Sequence, residues 1–228
     1  MSEENMSDHE IKIQEAYKIR RARQLAFAIL QRAKDAGIPD NQMRIKESEF
    51  KALVSDNFHE EGKEFVANYV YNHPEELFQR SFVTIDGGNV ESRKRAGFAL
   101  LFRLIACDKS GFHENCASLV HKFQTFKATA GVFRNDVADT LKEYDVLFIS
   151  EFRVNMFNPN YESGSFFDEI LGSRTDHNKL TIISFSDAIQ KQDDVMMRKD
   201  RDCGEYLSSL IQREKTDRTV YRLRVGTI

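Results

Sequence analysis

The chain has 228 residues, 41% of them apolar and 30% charged, with three prolines and no tryptophan. That composition suits one filled globular domain with a short appendage and excludes disordered, collagenous and disulfide-framed chains. With 33 basic against 36 acidic side chains the net charge is -3, so any contact with nucleic acid must come from a local patch rather than a protein-wide field. Cys107, Cys116 and Cys203 lack framework spacing, and the longest apolar runs fall short of the ~20 residues that cross a bilayer. The acidic start, Met1 to Glu10, has none of the character of a signal peptide, so the expectation is a reduced, cytoplasmic protein without membrane contact.

Residues 9 to 36 contain no Gly or Pro and place Ile19, Ala22, Ala26, Ile29 and Ala33 at three- and four-residue intervals, which predicts a helix stopped at Gly37 and Pro39. Arg20, Arg21 and Arg23 make it basic, while Leu25, Phe27 and Leu30 widen its apolar face. Such a rod needs a groove, either in its own core, on a partner protein or on an anionic surface such as DNA. A second helical stretch runs from Ser48 to Asn72.

Short β-rich runs then alternate with helices. Ser81 to Asp86 predicts a buried strand, a Gly-Gly turn follows, and a helix covers Ala96 to Cys107. Leu119 to Phe126 reads as a weaker strand, Asp136 to Glu143 as a helix, Tyr144 to Ile149 as a strong strand and Phe166 to Ser173 as a helix. Leu180 to Phe185 and Thr219 to Val225 complete five strands. Strands alternating with helices predict an α/β protein with a five-stranded parallel sheet flanked by helices. Ligands of such sheets sit at the carboxyl ends of the strands.

At the first of these ends, Gly87 to Arg95 compares with the phosphate-binding loop G-x-x-x-x-G-K-[S/T]. Gly88 and Lys94 keep the separation, but Arg93 stands for the second glycine and Arg95 for the hydroxyl residue. Glycine lets backbone amides approach phosphates, and the hydroxyl coordinates magnesium. Glu91 adds a carboxylate that would cost roughly 4 kcal/mol at ~4 Å from a phosphate charge, although Arg93 and Arg95 offset it. At the second end, Ser150 stands where a nucleotide-hydrolysing site wants a magnesium-binding Asp, and Glu151 supplies the carboxylate that orients water. The third end offers Ser184 to Asp187.

Taken together and in this order, these segments resemble the DnaC/DnaI-type helicase loaders and the related IstB transposition ATPases, a branch of the AAA+ family. The likeness runs from about Gly37 to the C-terminus and includes Glu49-Phe50, Glu64 to Asn72, Asp139 to Glu151, Phe167 to Arg174 and Asn178 to Ser186. It implies a P-loop NTPase-like AAA+ core over residues 37–228, preceded by a helical extension, residues 1–36, that docks a partner. Carried over residue by residue, Gly88, Arg93, Lys94, Arg95, Ser150 and Ser186 fall on nucleotide-binding positions. Glu151 falls on the catalytic carboxylate, here vestigial, and Arg174 on the basic residue before the sensor strand. Tyr206 and Leu210 stand where the family places arginines that reach a neighbouring subunit. Four departures thus fall on the hydrolytic apparatus. The resemblance implies a replication accessory protein that binds a hexameric replicative helicase through Arg20, Arg21, Arg23, Leu25, Phe27 and Leu30. It would hold ATP or ADP at most without turnover, with magnesium poorly provided for, and single-stranded DNA and self-association are further expectations. The competing classes are an active ATPase using Lys94 and Glu151 and an IstB-like DNA-binding regulator. A phage or mobile-element origin would suit a loader without an ATP cycle.

Cys107, His113, Cys116 and His121 are irregularly spaced for a zinc site, so no metal is expected. Phe152, Phe157 and Phe185 stand beside strand ends, where an aromatic ring can meet adenine or single-stranded DNA.

Overall fold

The computed structural model describes residues 8–43, 45–53, 71–128, 139–153, 170–185 and 220–226. Helix α1 spans Asp8–Asp35, and Gly37, at φ +80°, turns the chain out of it. Helix α2 spans Glu47–Leu53, and the remainder of the second predicted helical stretch, 54–70, lies outside the described residues. Strand β1 (Phe82–Gly87) leads into α3 (Val90–Ala106), β2 (Gly111–Asn115) and α4 (Cys116–Ala128). After helical residues 139–143 come β3 (Val146–Phe152), a single α-turn at Ser173–Asp176, β4 (Leu180–Phe185) and β5 (Val220–Val225).

The five strands form one parallel sheet in the order β2-β3-β4-β1-β5. Every described residue of β3 and β4 is buried, as a sheet covered on both faces requires. On one face Val83, Ile85, Val146, Phe148, Leu180, Ile182, Leu223 and Val225 meet Ala96 to Leu101 of α3, the end of α1 and Phe50 of α2 in a single core. Helix α4 packs against β2 and β3.

Two predicted elements are corrected. The strand placed at Leu119 to Phe126 is helix α4, and the strand before it is Gly111–Asn115. Cys116, Leu119 and Val120 are buried at three- and four-residue spacing, a helical period that their apolar run disguised. The edge strand is masked by Gly, Glu and Asn, residues depleted in strands. The helix after β1 begins at Val90, not Ala96. Asn89 caps it, its Oδ1 accepting from the Ser92 amide at 2.8 Å.

Helix α3 lies close on the sheet because Gly97 faces Phe148. A Cβ at Gly97 would sit 2.1 Å from the ring's Cζ. Gly97→Ala is expected to lose about 1–3 kcal/mol through overpacking, which outweighs the helix-propensity gain of up to about 1 kcal/mol. Thermal melting should register it, and Phe148→Leu on the same background should recover part of the loss.

Candidate functional site

The carboxyl ends of the strands gather Asp86, Gly87, Asn115, Ser150, Glu151 and Ser184. The connection from β1 to α3 consists only of Gly88 and Asn89. Residues 90–95, expected as part of a phosphate-binding loop, are the first turns of α3. Gly87 and Gly88 adopt φ of +80° and +48°. Cβ atoms there would meet Val225 O at 2.6 Å and Gly226 O at 2.3 Å, so both glycines serve the close passage of the chain beside β5.

Arg93 turns inward from α3 and is almost fully buried. Its Nε and Nη2 donate to Glu151 Oε1 at 3.1 Å and Oε2 at 2.9 Å. Its Nη1 donates to the carbonyls of Gly87 at 2.8 Å and Gly88 at 3.1 Å. All three guanidinium nitrogens are engaged, and the fork-to-fork pairing is the strong form of the interaction.

Glu151 reaches this position through a break in β3. Consecutive strand residues normally point to opposite faces, yet Ser150 and Glu151 both reach the α3 side. The register of β3 against β4 shifts between Ile149 and Phe152, and Glu151 has φ +55°, a left-handed conformation costing of order 1–3 kcal/mol. The Glu151 amide donates to Ser184 Oγ at 2.9 Å, which holds the bulge in place. Such bulges re-aim a side chain, here a carboxylate towards Arg93.

Ser150, at the expected magnesium position, is fully buried and 2.9 Å from His113 Nε2, with Asn115 Nδ2 at 3.5 Å. The His113 ring packs edge-on to Phe98, centroids 4.6 Å apart, and against Phe148 at 5.1 Å. Burial, opposed by Glu114 and helped by Lys94, lowers its pKa to about 4. His113 and Asn115 belong to β2, whose polar run carries no strand signal in the sequence, so nothing there marks their meeting with Ser150. Glu114, next to His113, pairs with Lys122 of α4.

The other motif residues disperse. Arg95 pairs with Glu49 at 3.5 Å, and Glu91 accepts from Gln42 at 2.8 Å. Lys94 is half-buried, and its side chain makes no hydrogen bond or ion pair with another described residue. Asp86 points to the other face of the sheet and is held by Arg222 and Arg224 of β5. Phe152 and Phe185 pack on each other inside the protein, both essentially unexposed, so neither ring is presented to a ligand. Ser186, Phe157, Tyr206 and Leu210 lie outside the described residues.

Arg174 lies at the opposite end of the sheet from the position implied for a catalytic group. It is fully buried and donates to the carbonyls of Leu141, Tyr144, Asp145 and Leu180 and to Thr181 Oγ1. These groups surround the amino ends of β3 and β4, whereas ligands of such sheets bind at the carboxyl ends. Burial lowers its pKa to about 10, which leaves it charged at neutral pH. Among the described residues no group of three or more His, Cys, Asp or Glu is placed to hold a metal ion, and Cys107, His113, Cys116 and His121 do not converge. No described helix is long and apolar enough to cross a membrane.

From Lys12 to Ala28 every residue of α1 is exposed, whereas Ala33 in its last turn and Ala36 just beyond it are buried. Arg32 pairs with Asp108 and Lys34 with Asp40, and the His113 amide donates to Ala36 O at 2.9 Å. Ile13, Tyr17, Ile19, Leu25 and Phe27 are each more than half exposed. Arg20, Arg21 and Arg23 share that exposed stretch, and Leu30 is half-buried at its base.

The strand order and the helix that leaves β1 define a P-loop NTPase-like α/β fold, one parallel sheet flanked by helices. A crystal structure of DnaI has this fold, with a TM-score of 0.56 and 14% sequence identity over 82% of this chain and 91% of that one. No protein-family model matches the chain. No curated protein matches it in sequence.

The neutral His113 makes stability fall in acid. Its folded pKa of about 4 lies below the unfolded value of about 6.5, so the unfolded chain binds the proton first. The stability it confers is complete above pH 6.5 and is lost as pH falls towards 4. Urea denaturation should show about 2 kcal/mol lost between pH 6.5 and 5, a slope that His113→Asn should flatten.

Proposed function

We propose that this chain is a DNA-replication accessory protein of the helicase-loader type that binds a hexameric replicative helicase and works without efficient ATP hydrolysis. The DnaI-like fold over 82% of the chain is the observation that carries this reading. Residues 1–36 act as the docking extension and residues 37–228 as the AAA+-like body. Supporting the docking role, residues 12–28 of α1 present five basic side chains against one acidic, with large apolar side chains among them. A helix of this kind binds by laying apolar anchors into a groove whose rim is acidic.

The strand ends support the absence of hydrolysis. Glu151 is engaged by Arg93 through both of its oxygens and is therefore poorly placed to orient an attacking water. Ser150, paired with His113, offers no charge to a magnesium ion. The degenerate motifs read as those of a protein that keeps the loader scaffold and has given up its phosphate chemistry.

Capture of a hexameric replicative helicase by the full chain, with and without ATP, tests the docking. Capture should be equal in both conditions. Leu25→Asp combined with Phe27→Asp should weaken it by at least about tenfold with no change in melting temperature, since both side chains are exposed. Undiminished capture would remove α1 from the docking surface. Magnesium-dependent phosphate release should be no faster for the native chain than for Lys94→Ala, and brisk release that Lys94→Ala abolishes would defeat the reading.

A further inference from the structure

The groups lining the space between β1, α3 and the end of β3 have a definite polarity. The Gly87 and Gly88 carbonyls and both oxygens of Glu151 point into it, and all four are hydrogen-bond acceptors. A phosphate cradle is built the other way round, from backbone amides that donate to an anion. One amide at the start of α3 that would serve such a cradle, that of Ser92, is already taken by the Asn89 side chain. The space therefore fits a planar cation with several donors and repels an anion.

We propose that this space is a cation cradle whose permanent occupant is the protein's own Arg93 guanidinium, which ties α3 to β1 and β3 in place of a bound nucleotide. The tie is covalent to α3 at one end and makes four hydrogen bonds at the other, so it neither dissociates nor turns over. Nucleoside di- and triphosphates are excluded on two grounds. Their phosphates would face carbonyls and a carboxylate, and entry would require expelling a buried arginine from an ion pair whose side chains are 5% and 10% exposed. The left-handed backbone of Glu151 and its bulge are part of the same device, because they turn the carboxylate to the guanidinium. The body is thus held in one conformation whatever the nucleotide supply. The inference rests on the P-loop-like fold for the location of the cradle and not on the identity of the partner. Failure of helicase capture would leave it standing.

The test combines thermal melting with equilibrium binding on the full chain. Arg93→Ala should melt about 10 °C below the native protein, as loss of one member of a buried ion pair requires. Millimolar methylguanidinium should restore part of that loss in Arg93→Ala and leave the native protein unmoved. Inorganic pyrophosphate should stabilise neither. The native chain should give no saturable binding of a fluorescent ATP analogue with magnesium at micromolar concentrations. If Arg93→Ala does not fold, Glu151→Gln keeps the shape and one acceptor while removing the charge, and it should lower the melting temperature by several degrees. Micromolar nucleotide binding by the native chain would overturn the proposal. So would stabilisation of Arg93→Ala by pyrophosphate rather than by methylguanidinium, or melting of the available variant at the native temperature.

Discussion

The arrangement of the strand ends depends on one buried ion pair. Arg93 and Glu151 join the first helix after β1 to the end of β3, and each accounts for something otherwise unexplained. The guanidinium explains how two consecutive glycine carbonyls can both turn towards α3 at the partly buried end of β1, since it satisfies both. The carboxylate explains why β3 tolerates a left-handed residue in its course, since only the bulged strand aims it at the arginine. A pair of charges removed from water is not a cheap source of stability, because the desolvation of both ions opposes their attraction. It specifies geometry well, however, because leaving either charge without the other costs far more than the pair contributes.

A second buried guanidinium does comparable work at the far end of the same sheet. Arg174 collects four carbonyls and a threonine hydroxyl around the starts of β3 and β4, while Lys179 donates to the carbonyls of Lys142 and Glu143 at 2.6 Å and closes helical residues 139–143. The central strands are thereby held at their amino ends by one arginine and at their carboxyl ends by another. Between them lies an apolar interior in which Gly97 lets α3 settle onto Phe148. The two arginines differ in what they meet. Arg174 is neutralised mainly by dipoles, whereas Arg93 meets a full negative charge.

Much of the architecture was legible because buried parallel strands announce themselves as short apolar runs. β1, β3, β4 and β5 fall on the runs at 82, 146, 180 and 220, and the number and direction of strands follow as expected. The edge strand Gly111–Asn115 carries polar residues and had no such mark. The beginning of α3 was obscured for a different reason. The comparison with a phosphate-binding loop drew residues 90–95 out as loop, although Asn89 followed by Ser92 is a sound capping pair and Glu, Arg and Lys suit a helix. Side-chain partners were the least legible. The spacing of Arg93 and Glu151 in the chain gives no hint that they meet, because the meeting requires a strand order and a bulge that only the folded sheet supplies.

Helix α1 is 28 residues long, or about 42 Å at 1.5 Å per residue, and among the described residues its buried anchorage lies at its C-terminal end, at Ala33 and at Ala36 just beyond it. It therefore behaves mechanically as a lever. The stretch from Lys12 to Ala28 projects about 24 Å, so a tilt of about 10° at the fulcrum displaces its tip by ~4 Å. Arg32 and Asp108, with Lys34 and Asp40, brace that fulcrum through exposed ion pairs, which yield readily to salt. Salt thus loosens two of the contacts at the arm's mounting, while the buried Ala33 and Ala36 and the bond from the His113 amide to Ala36 O stay in place.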